Sequence, residues 1–439
     1  MQLLTFKRGI HPPHGKHFTE NKSMEDYLPK GDMVFPMSQH IGAICEPIVK
    51  KGDRVLLGQK IGQATSFVSS PVHSSISGIV KNVLAMPHSN GTKVLSVIVE
   101  NDYLYESIAT QPVKDYTKLS KSELVDIIKD SGIVGLGGAC FPTHVKLTPP
   151  EDKKVDYIII NAAECEPYLT CDYRLMLEFA EDIKEGLKIL SHMFKDVKIV
   201  VGIENNKPEA IKLLKNVVST ISNVEIASLK TKYPQGAEKQ LIYAVTKREV
   251  PTGKLPADAG CIVQNIGTIF AIKKAVVDGE VLTERIVTVT GEGIKNPKNL
   301  KVKLGTPIME LIEFCGGFNG EPEKVISGGP MMGTTLFDLS VPVIKGTSGV
   351  LVLGVEDSKS KPESNCIRCG KCLVACPMYL NPTKLNSQVI RGDYEGFEKN
   401  KGLSCIECGC CSFVCPAKRK LTQSCREGKR TVMNNKRKK

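Results

Sequence analysis

Two short runs near the C-terminus repeat one cysteine spacing, C-x-x-C-x-x-C-x-x-x-C-P, which is a ligand pattern of iron–sulfur proteins. A [4Fe-4S] cubane needs four thiolates that converge on one site, and three from a tight loop with one from elsewhere meet this geometry without strain. The sequence therefore predicts a chain that moves electrons. The eight cysteines of the two runs are Cys366, Cys369, Cys372, Cys376, Cys405, Cys408, Cys411 and Cys415.

The fourth cysteine of each paired run usually binds the cluster of the other run. Zinc sites also use C-x-x-C pairs, but they rarely place three cysteines at this spacing with a fourth before proline. Disulfides are disfavoured because the first residues lack the charged head and apolar core of a signal peptide, which indicates a reducing compartment. We therefore expect two [4Fe-4S] clusters, one on Cys366, Cys369, Cys372 and Cys415 and one on Cys405, Cys408, Cys411 and Cys376.

The other cysteines and the N-terminal histidines show no ligand spacing. Cys410 stands between two predicted ligands and is interpreted as a packing residue. Cys165 stands between two glutamates, and because nearby negative charge raises the pKa of a thiol, we expect no nucleophilic role for it. Prolines and lysines surround three histidines that are expected in an exposed loop, His11, His14 and His17. Five more cysteines are expected to be buried or free thiols, Cys140, Cys171, Cys261, Cys315 and Cys425.

Most of the formal net charge of +12 lies at the end of the chain. Residues 417–439 carry ten Lys or Arg and one Glu, which leaves +3 for the rest. The first interpretation of such a run is a disordered, hydrated end. The second is a contact for an acidic partner or an anionic lipid surface. The absence of Trp argues against base stacking, so nucleic-acid binding is not expected. No stretch approaches eighteen uninterrupted apolar residues, so none is expected to span a bilayer by itself.

Changes in periodicity divide the chain into five segments. Residues 1–114 are rich in short alternating runs and glycine turns, which predicts a β-rich domain, and residues 115–284 alternate strands with amphipathic helices, which predicts an α/β domain. One helix is expected over 175–193. Residues 285–355 form a second short strand and helix unit, 356–416 carry both cysteine runs, and 417–439 form the basic tail.

Two local signals refine the fourth segment. The polar stretch 356–365 reads as a linker into the cluster domain. Between the cysteine runs, Asn381 and Pro382 predict the start of a helix with Asn381 as its N-cap.

Outside the cysteine runs, residues 135–146 are the most informative segment. Gly135 and Gly137 begin like the dinucleotide fingerprint G-x-G-x-x-G, but Cys140 stands where the third glycine belongs, so a simple Rossmann site is not predicted. Glycines here still let backbone N–H groups approach a phosphate closely, and Lys146 would add a positive charge for the same anion.

Polar residues also stand at the ends of other predicted elements, where the ligand sites of α/β domains lie. They are Asn161, Glu164 and Glu166 after a strand, Tyr233, Gly236 and Glu238 at the start of a helix, and Asn265 and Thr268 between a strand and a helix. We expect these strand ends to face one pocket together with the glycine loop.

These phrases resemble the NADH-binding flavoprotein subunit of respiratory complex I. A longer resemblance covers all but the basic tail: FKRGIHPP at 6–13, ECEPYLTCDYR at 164–174, GGPMMG at 328–333 and both cysteine runs resemble the C subunit of the Rnf electron transport complex. One departure is Arg8, where that family often has a second glycine. Residues 49–80 resemble a biotinyl or lipoyl hammerhead domain, but between Ile61 and Pro71 there is no lysine to carry a swinging arm.

The resemblance implies a multidomain α/β fold: an N-terminal β-rich hammerhead-like domain, a complex I flavoprotein-like domain, a β-grasp insert of the soluble-ligand-binding (SLBB) type and a helical two-[4Fe-4S] domain. It implies no catalytic side chain, and it implies that FMN is bound by Gly135, Gly137, Gly138, Ala139, Lys146, Asn161, Tyr233, Gly236, Asn265 and Thr268. It places Phe141, Glu166 and Glu238 toward the nicotinamide nucleotide, and Glu164 is counted with these cofactor-binding residues.

The implied activity is electron exchange between NADH and two [4Fe-4S] clusters through FMN, because a hydride carries two electrons and a cluster accepts one. The resemblance also implies partners, namely Rnf membrane subunits that couple the flow to Na⁺ or H⁺ translocation and a ferredoxin-reducing iron–sulfur subunit. The location it implies is peripheral, on the cytoplasmic face of the cell membrane. A related enzyme that reduces cobalamin, or one that reduces a selenoprotein reductase, shares these motifs and is one alternative. The other alternative is not an enzyme but a noncatalytic scaffold that carries clusters.

Overall fold

The structure is a computed structural model that describes residues 3–354 and 362–438. The predicted linker at 356–365 therefore lies mostly outside the described residues. Within them, the β-strands form four sheets, and a helical unit follows at the C-terminal end.

The first unit is a small β-sandwich. Its antiparallel sheets have the strand orders β2-β8-β7-β4 and β3-β5-β6. Met33, Phe35, Val55 and Ile61 are fully buried between them. They belong to the apolar residues of the short alternating runs, whose side chains point inward from the strands. The strands are β2 Met33–Pro36, β3 Glu46–Pro47, β4 Arg54–Val55, β5 Lys60–Gln63, β6 Val72–His73, β7 Gly78–Pro87 and β8 Lys93–Asn101.

The second unit is a parallel sheet of order β11-β10-β9-β12 with helices packed against it. Ile158, Ile159 and Ile160 of β9 are all fully buried because both faces of the sheet are covered. The strands are β9 Tyr157–Ala162, β10 Lys198–Glu204, β11 Val224–Leu229 and β12 Cys261–Asn265. The helices are α1 Lys121–Asp130, α2 Thr143–Leu147, α3 Cys171–Glu178, α4 Ala180–Met193, α5 Pro208–Val217, α6 Glu238–Thr246 and α7 Ile266–Lys273.

The single helix predicted over 175–193 is wrong. The chain forms two helices, and Phe179 between them leaves the helical region with φ −128° and ψ 38°. Apolar residues continue at helical spacing on both sides of this break, so the sequence period alone does not reveal it.

The third unit is a mixed sheet of order β1-β14-β13-β17-β15-β16 with helix α8, Ile308–Phe314. Its strands are β1 Met24–Tyr27, β13 Glu284–Thr290, β14 Lys298–Lys303, β15 Lys324–Ser327, β16 Thr334–Leu336 and β17 Gly349–Leu353. Strand β1 comes from the N-terminal segment and pairs in parallel with β14, with Met24 opposite Asn299. One continuous core joins this unit to the parallel sheet through residues such as Ile160 and Val287.

The C-terminal unit is helical and holds both cysteine runs. Its helices are α9 Lys371–Ala375, α10 Pro382–Ile390, α11 Tyr394–Lys399, α12 Cys410–Phe413 and α13 Leu421–Lys438. The predicted N-cap of α10 is confirmed, because the Lys384 N–H donates a hydrogen bond of 3.1 Å to the Asn381 side chain.

The expectation of a disordered end is wrong for the residues described there. Residues 421–438 form α13, which packs on α10 and α11. Leu421, Cys425, Gly428 and Val432 are buried on one side of this helix, and their spacing of three to four residues is that of an apolar helix face. The dense lysines and arginines on the outer side conceal this signal in the composition. No helix of the described chain is long and apolar enough to cross a membrane.

Candidate functional site

The carboxyl ends of the parallel strands bring two predicted residues side by side. Asn161 at the end of β9 is in register with Asn265 at the end of β12. The Asn161 side chain donates a hydrogen bond of 2.8 Å to the carbonyl of Gly236. The Asn265 side chain accepts from the Gly267 N–H at 2.8 Å and so caps α7. Three of the predicted strand-end phrases therefore meet at one edge of the sheet.

The glycine loop lies over this edge. The Leu136 N–H donates a hydrogen bond of 3.0 Å to the Thr268 hydroxyl, which fixes the start of the loop on α7. A Cβ atom at Gly137 would lie 2.3 Å from the Asn265 side-chain nitrogen, so only glycine fits there. Gly138 and Ala139 are exposed, and a Cβ at Gly138 would meet no atom within 4 Å. The loop thus presents open backbone next to the strand ends.

Lys146 and Glu238 form an ion pair of 3.4 Å beside this loop. Phe141, half-buried, lies in the same loop and precedes α2, the helix that carries Lys146. The amine of Lys146 also donates to the carbonyl of Val263 at 3.0 Å. A residue predicted for FMN and one predicted for the nicotinamide nucleotide therefore meet at the same place.

The two predicted carboxylates between β9 and α3 are engaged with backbone groups. Glu164 accepts hydrogen bonds from the N–H groups of Asp172 at 2.7 Å and Tyr173 at 3.2 Å at the start of α3. Burial raises its pKa to about 7. Glu166 accepts from the N–H groups of Met331 at 2.6 Å and Met332 at 3.0 Å, and burial raises its pKa as well. In the structure both carboxylates therefore stabilise neighbouring backbone segments, and a role in binding NAD(H) stays a prediction.

Tyr233 lies at the boundary between the strand edge and the cysteine-rich unit. Its side chain is buried, and its backbone pairs with Ile10 of the N-terminal segment, the two N–H···O bonds measuring 2.8 and 2.9 Å. The Tyr233–Pro234 peptide bond is cis. Gly236 follows, and its N–H donates to the Cys165 sulfur at 3.2 Å. Burial, followed by the carboxylate of Glu204, raises the pKa of Cys165, in agreement with the expectation that this thiol is not a nucleophile.

Sequence reasoning missed a set of buried charges beneath these loops. The amine of Lys16 donates hydrogen bonds to the carbonyls of Glu164 at 3.0 Å and Glu166 at 3.2 Å. Lys207 donates to the carbonyl of Ala163 at 2.7 Å. Other members of the set are Asp172, Glu204 and Arg285. These charges come from distant parts of the chain, and only Asp172 stood inside a phrase singled out from the sequence.

These residues fit FMN. The donor set comprises open glycine backbone, the Lys146 amine and the Asn161 side chain, which suit a phosphate and a polar ring edge. The Asn265 amide instead donates to the Asp172 carboxylate at 2.7 Å. The buried Gln264 side chain, one residue before Asn265, has no hydrogen-bond partner at either its oxygen or its nitrogen among the described residues. Buried polar atoms without a partner are costly.

The cysteines gather in two cavities. One cavity is lined by Cys366, Cys369, Cys372 and Cys415 among others. The other is lined by Cys376, Cys405, Cys408 and Cys411, together with Cys410 and Cys425. The fourth cysteine of each run therefore lies with the other run. Each cavity thus brings together the four predicted ligand thiols, the number that a [4Fe-4S] cluster takes.

Each cavity has a matching hydroxyl. The Cys372 sulfur lies 3.1 Å from the Thr383 hydroxyl, and the Cys411 sulfur lies 3.6 Å from the Thr422 hydroxyl. Cys425, which shows no ligand spacing, nevertheless lies in the second cavity, where its thiol hydrogen bond lowers the pKa of Cys405. The thiols of Cys140, Cys171, Cys261, Cys315 and Cys425 are buried, as expected. The N-terminal histidines His11, His14 and His17 are exposed.

Comparison with family models supports this arrangement of domains. The RnfC barrel sandwich hybrid domain matches residues 4–103, the Nuo51 FMN-binding domain matches 128–274, the SLBB domain matches 286–335, and the 4Fe-4S dicluster domain matches 359–416. The fold class expected from the sequence is confirmed. An FMN-binding domain and a 4Fe-4S dicluster domain are thus both present in the chain.

Curated relatives match over most of their length and most of this chain. The chain is 50% identical to the C subunit of the Na⁺-translocating ferredoxin:NAD⁺ oxidoreductase complex of Acetobacterium woodii, over 99% of this chain and 98% of that protein. It is 48% identical to the C subunit of the proton-translocating ferredoxin:NAD⁺ oxidoreductase complex of Clostridium ljungdahlii, over 88% of this chain and 84% of that protein. It is 40% identical to the C subunit of the ion-translocating oxidoreductase complex of Rhodobacter capsulatus, over 91% and 78%.

Fold, paired cavities and relatives together define an iron–sulfur flavoprotein of the electron-transfer type. The chain belongs to the RnfC family, the C subunits of Rnf-type ion-translocating ferredoxin:NAD⁺ oxidoreductase complexes. The resemblance inferred from its sequence motifs is confirmed.

Proposed function

We propose that this chain exchanges electrons between NAD(H) and two [4Fe-4S] clusters through one FMN, as the NAD(H)-reactive subunit of an ion-translocating ferredoxin:NAD⁺ oxidoreductase complex. When bound, FMN supplies the conversion between a two-electron hydride and single electrons. The chain's own residues hold the cofactors, exclude water and fix distances. In this proposal the partners are the membrane subunits and a ferredoxin-reducing iron–sulfur subunit, and the chain lies peripherally on the cytoplasmic face of the membrane.

The flavin site in this proposal is the strand edge with its glycine loop. Lys146 and the open backbone at Gly137 and Gly138 provide charge and N–H donors for a phosphate. Asn161 and Asn265 hold the floor of the site through their hydrogen bonds to Gly236 and Gly267. Hydride transfer needs no side-chain acid or base, so these residues serve to bind and orient the two nucleotides.

One observation carries the proposal: the flavin side and one cysteine cavity share a buried wall. Tyr233 packs in a single apolar cluster with Ile10, Ala375, Cys408 and Cys410. Cys408 lines the cavity of Cys376, Cys405 and Cys411. We therefore assign this cavity to the cluster nearer the flavin, and the cavity of Cys366, Cys369, Cys372 and Cys415 to the farther one.

Anaerobic purification tests the proposal. We expect one FMN and about eight iron per chain, since two four-iron clusters are proposed. Addition of NADH is expected to bleach the flavin absorbance and to produce the EPR signals of reduced clusters. Fully assembled protein without flavin, or with clusters that stay oxidised in the presence of NADH, would contradict it.

A further inference from the structure

The two cysteine runs are copies of one structural repeat. Each residue of the first copy corresponds to the residue 39 positions later (405 − 366). Arg368 and its counterpart Glu407 share the left-handed backbone, with φ 57° and 56°, and Gly370 and Gly409 follow with φ 74° and 80°. The local fold of the two copies is therefore the same, and their differences lie in side chains and surroundings.

The second copy is covered by the rest of the chain. Cys408 and Cys410 are buried against Ile10 and Tyr233. The acidic Glu407 is half-buried and is held by Arg426 at 2.9 Å and Lys429 at 2.7 Å. This side of the domain is occupied by contacts within the chain.

The first copy presents a different surface. Ile367 is 67% exposed and Val374 is 72% exposed. Arg368 and Lys371 are exposed as well, and they stand where the second copy has Glu407 and Cys410. We call these four residues, Ile367, Arg368, Lys371 and Val374, the outer face. Ile367 and Arg368 line the same cavity as Cys366 and Cys369, which are themselves exposed in the described chain.

Charge indicates what this face fits. The outer face carries two basic side chains, Arg368 and Lys371, and no acidic one. Two large exposed apolar side chains, Ile367 and Val374, accompany these basic ones, and protein interfaces combine apolar and charged residues in this way. A lipid surface would need basic residues but would gain nothing from placing them around cluster ligands.

We propose that the outer face is the docking site of an electron-carrying protein whose contact surface combines acidic and apolar side chains. One electron passes between the cluster of Cys366, Cys369, Cys372 and Cys415 and the redox centre of the carrier, with no bond made or broken. In one direction NADH supplies the electron, and in the other the reduced carrier supplies it. The proposal rests on the proposed function and adds the chemistry of the partner to it.

Stopped-flow kinetics test the docking site. The full chain, with FMN and both clusters in place, is mixed with a small acidic [2Fe-2S] ferredoxin that has been reduced beforehand, and reduction of the chain is followed at several KCl concentrations. The double reversal Arg368→Glu with Lys371→Glu is expected to lower the second-order rate constant about tenfold or more and to flatten its salt dependence. The neutral pair Arg368→Gln with Lys371→Gln is expected to fall between.

Matched controls separate docking from assembly. Lys50→Glu with Lys51→Glu reverses two exposed charges on the β-sandwich, and its rate constant is expected to stay within about twofold of the wild type. Iron content, flavin content and NADH-driven ferricyanide reduction are measured on every variant. If the variant Arg368→Glu with Lys371→Glu loses iron, the rate constant of Arg368→Gln with Lys371→Gln is compared with the wild type instead.

Two kinetic results would overturn the proposal: equal rates in the wild type and in the outer-face variants, or equal slowing by the β-sandwich control. A third measurement is sedimentation with anionic phosphatidylglycerol vesicles. If the outer-face substitutions reduce only this sedimentation and leave the rates unchanged, the proposal is also overturned. The two apolar residues of the outer face have their own test, in which Ile367→Ser with Val374→Ser slows transfer at all salt concentrations. Failure of the proposed function has a different signature, because a wild-type chain that lacks flavin or does not oxidise NADH fails before the carrier is added.

Discussion

The guanidinium carbon of Arg8 lies 3.8 Å from the centre of the Tyr379 ring. Its Nη1 also donates a hydrogen bond of 2.8 Å to the carbonyl of Leu373, and the next residue, Gly9, donates from its N–H to the carbonyl of Ala375 at 3.2 Å. Because Ile10 pairs with Tyr233, this short segment ties the cysteine-rich unit to the flavin side. Arg8 thus has a structural role.

Arg8 allows a prediction with two opposing parts. Its φ of 66° is left-handed, which costs a non-glycine residue about 1 kcal/mol, while an exposed cation–π contact returns about 0.5–1 kcal/mol. Arg8→Ala keeps the strain and loses the contacts, whereas Arg8→Gly loses both. We expect hydrogen exchange at the Gly9 amide to accelerate more in Arg8→Ala than in Arg8→Gly. The reverse order would show that relief of the backbone strain does not matter, and wild-type exchange in both variants would show that the side-chain contacts contribute nothing.

The crossed arrangement of the cysteines gives a second prediction. Cys376 lies in the cavity of the later run, so Cys376→Ser is expected to damage the cluster of Cys405, Cys408 and Cys411 and to leave the other intact. Cys415→Ser is expected to do the converse. EPR spectra of the reduced variants, with iron analysis, distinguish the two. Cys315→Ser, a buried thiol outside both cavities, is the control and should retain all its iron.

The opposite EPR pattern, with Cys376→Ser losing the earlier cluster alone, would contradict the crossed assignment. Cys425→Ser adds a check on the four chosen ligands. Its thiol lines the second cavity, and we expect the variant to retain about eight iron, because its spacing is not that of a ligand.

Much of the site was predictable because it depends on local rules. Asn161 and Asn265 end neighbouring parallel strands, and the sheet's own register places them together. Lys16 was not predictable, because its contact with Glu164 joins residues 148 positions apart. Sequence periodicity reports only on neighbours within one helix or strand. Cys425 and Val432 were concealed in a different way, since a helix packed on one side looks like a charged tail when its outer face is dense in lysine and arginine.

Glu164 gives a prediction for pH. Its folded-state pKa of about 7 lies above the ordinary value of 4.5, so between these values the folded protein binds a proton more tightly than the unfolded chain. The free energy of unfolding therefore falls as pH rises from 4.5 to 7, by at most about 3 kcal/mol from this group. Glu164→Gln should show a smaller loss of thermal stability between pH 5 and pH 8 than the wild type. Glu181→Gln, an exposed change on α4, should follow the wild type, and equal losses in all three would remove Glu164 as the cause.

The ion pair of Lys146 and Glu238 predicts that substitutions of its two partners change the affinity for FMN differently. If the Lys146 amine lies near the flavin phosphate, then Lys146→Ala removes a charge-assisted contact, and the dissociation constant of FMN should rise about tenfold or more. Glu238→Gln removes the negative charge 3.4 Å from that amine, so FMN should bind as tightly as in the wild type or more so, while the KM for NADH rises. Flavin titration of the stripped protein measures the first effect and steady-state kinetics the second. Lys154→Ala, a change at a side chain that is 89% exposed, controls for loss of positive charge, and unchanged flavin affinity in Lys146→Ala would rule out the assigned phosphate contact.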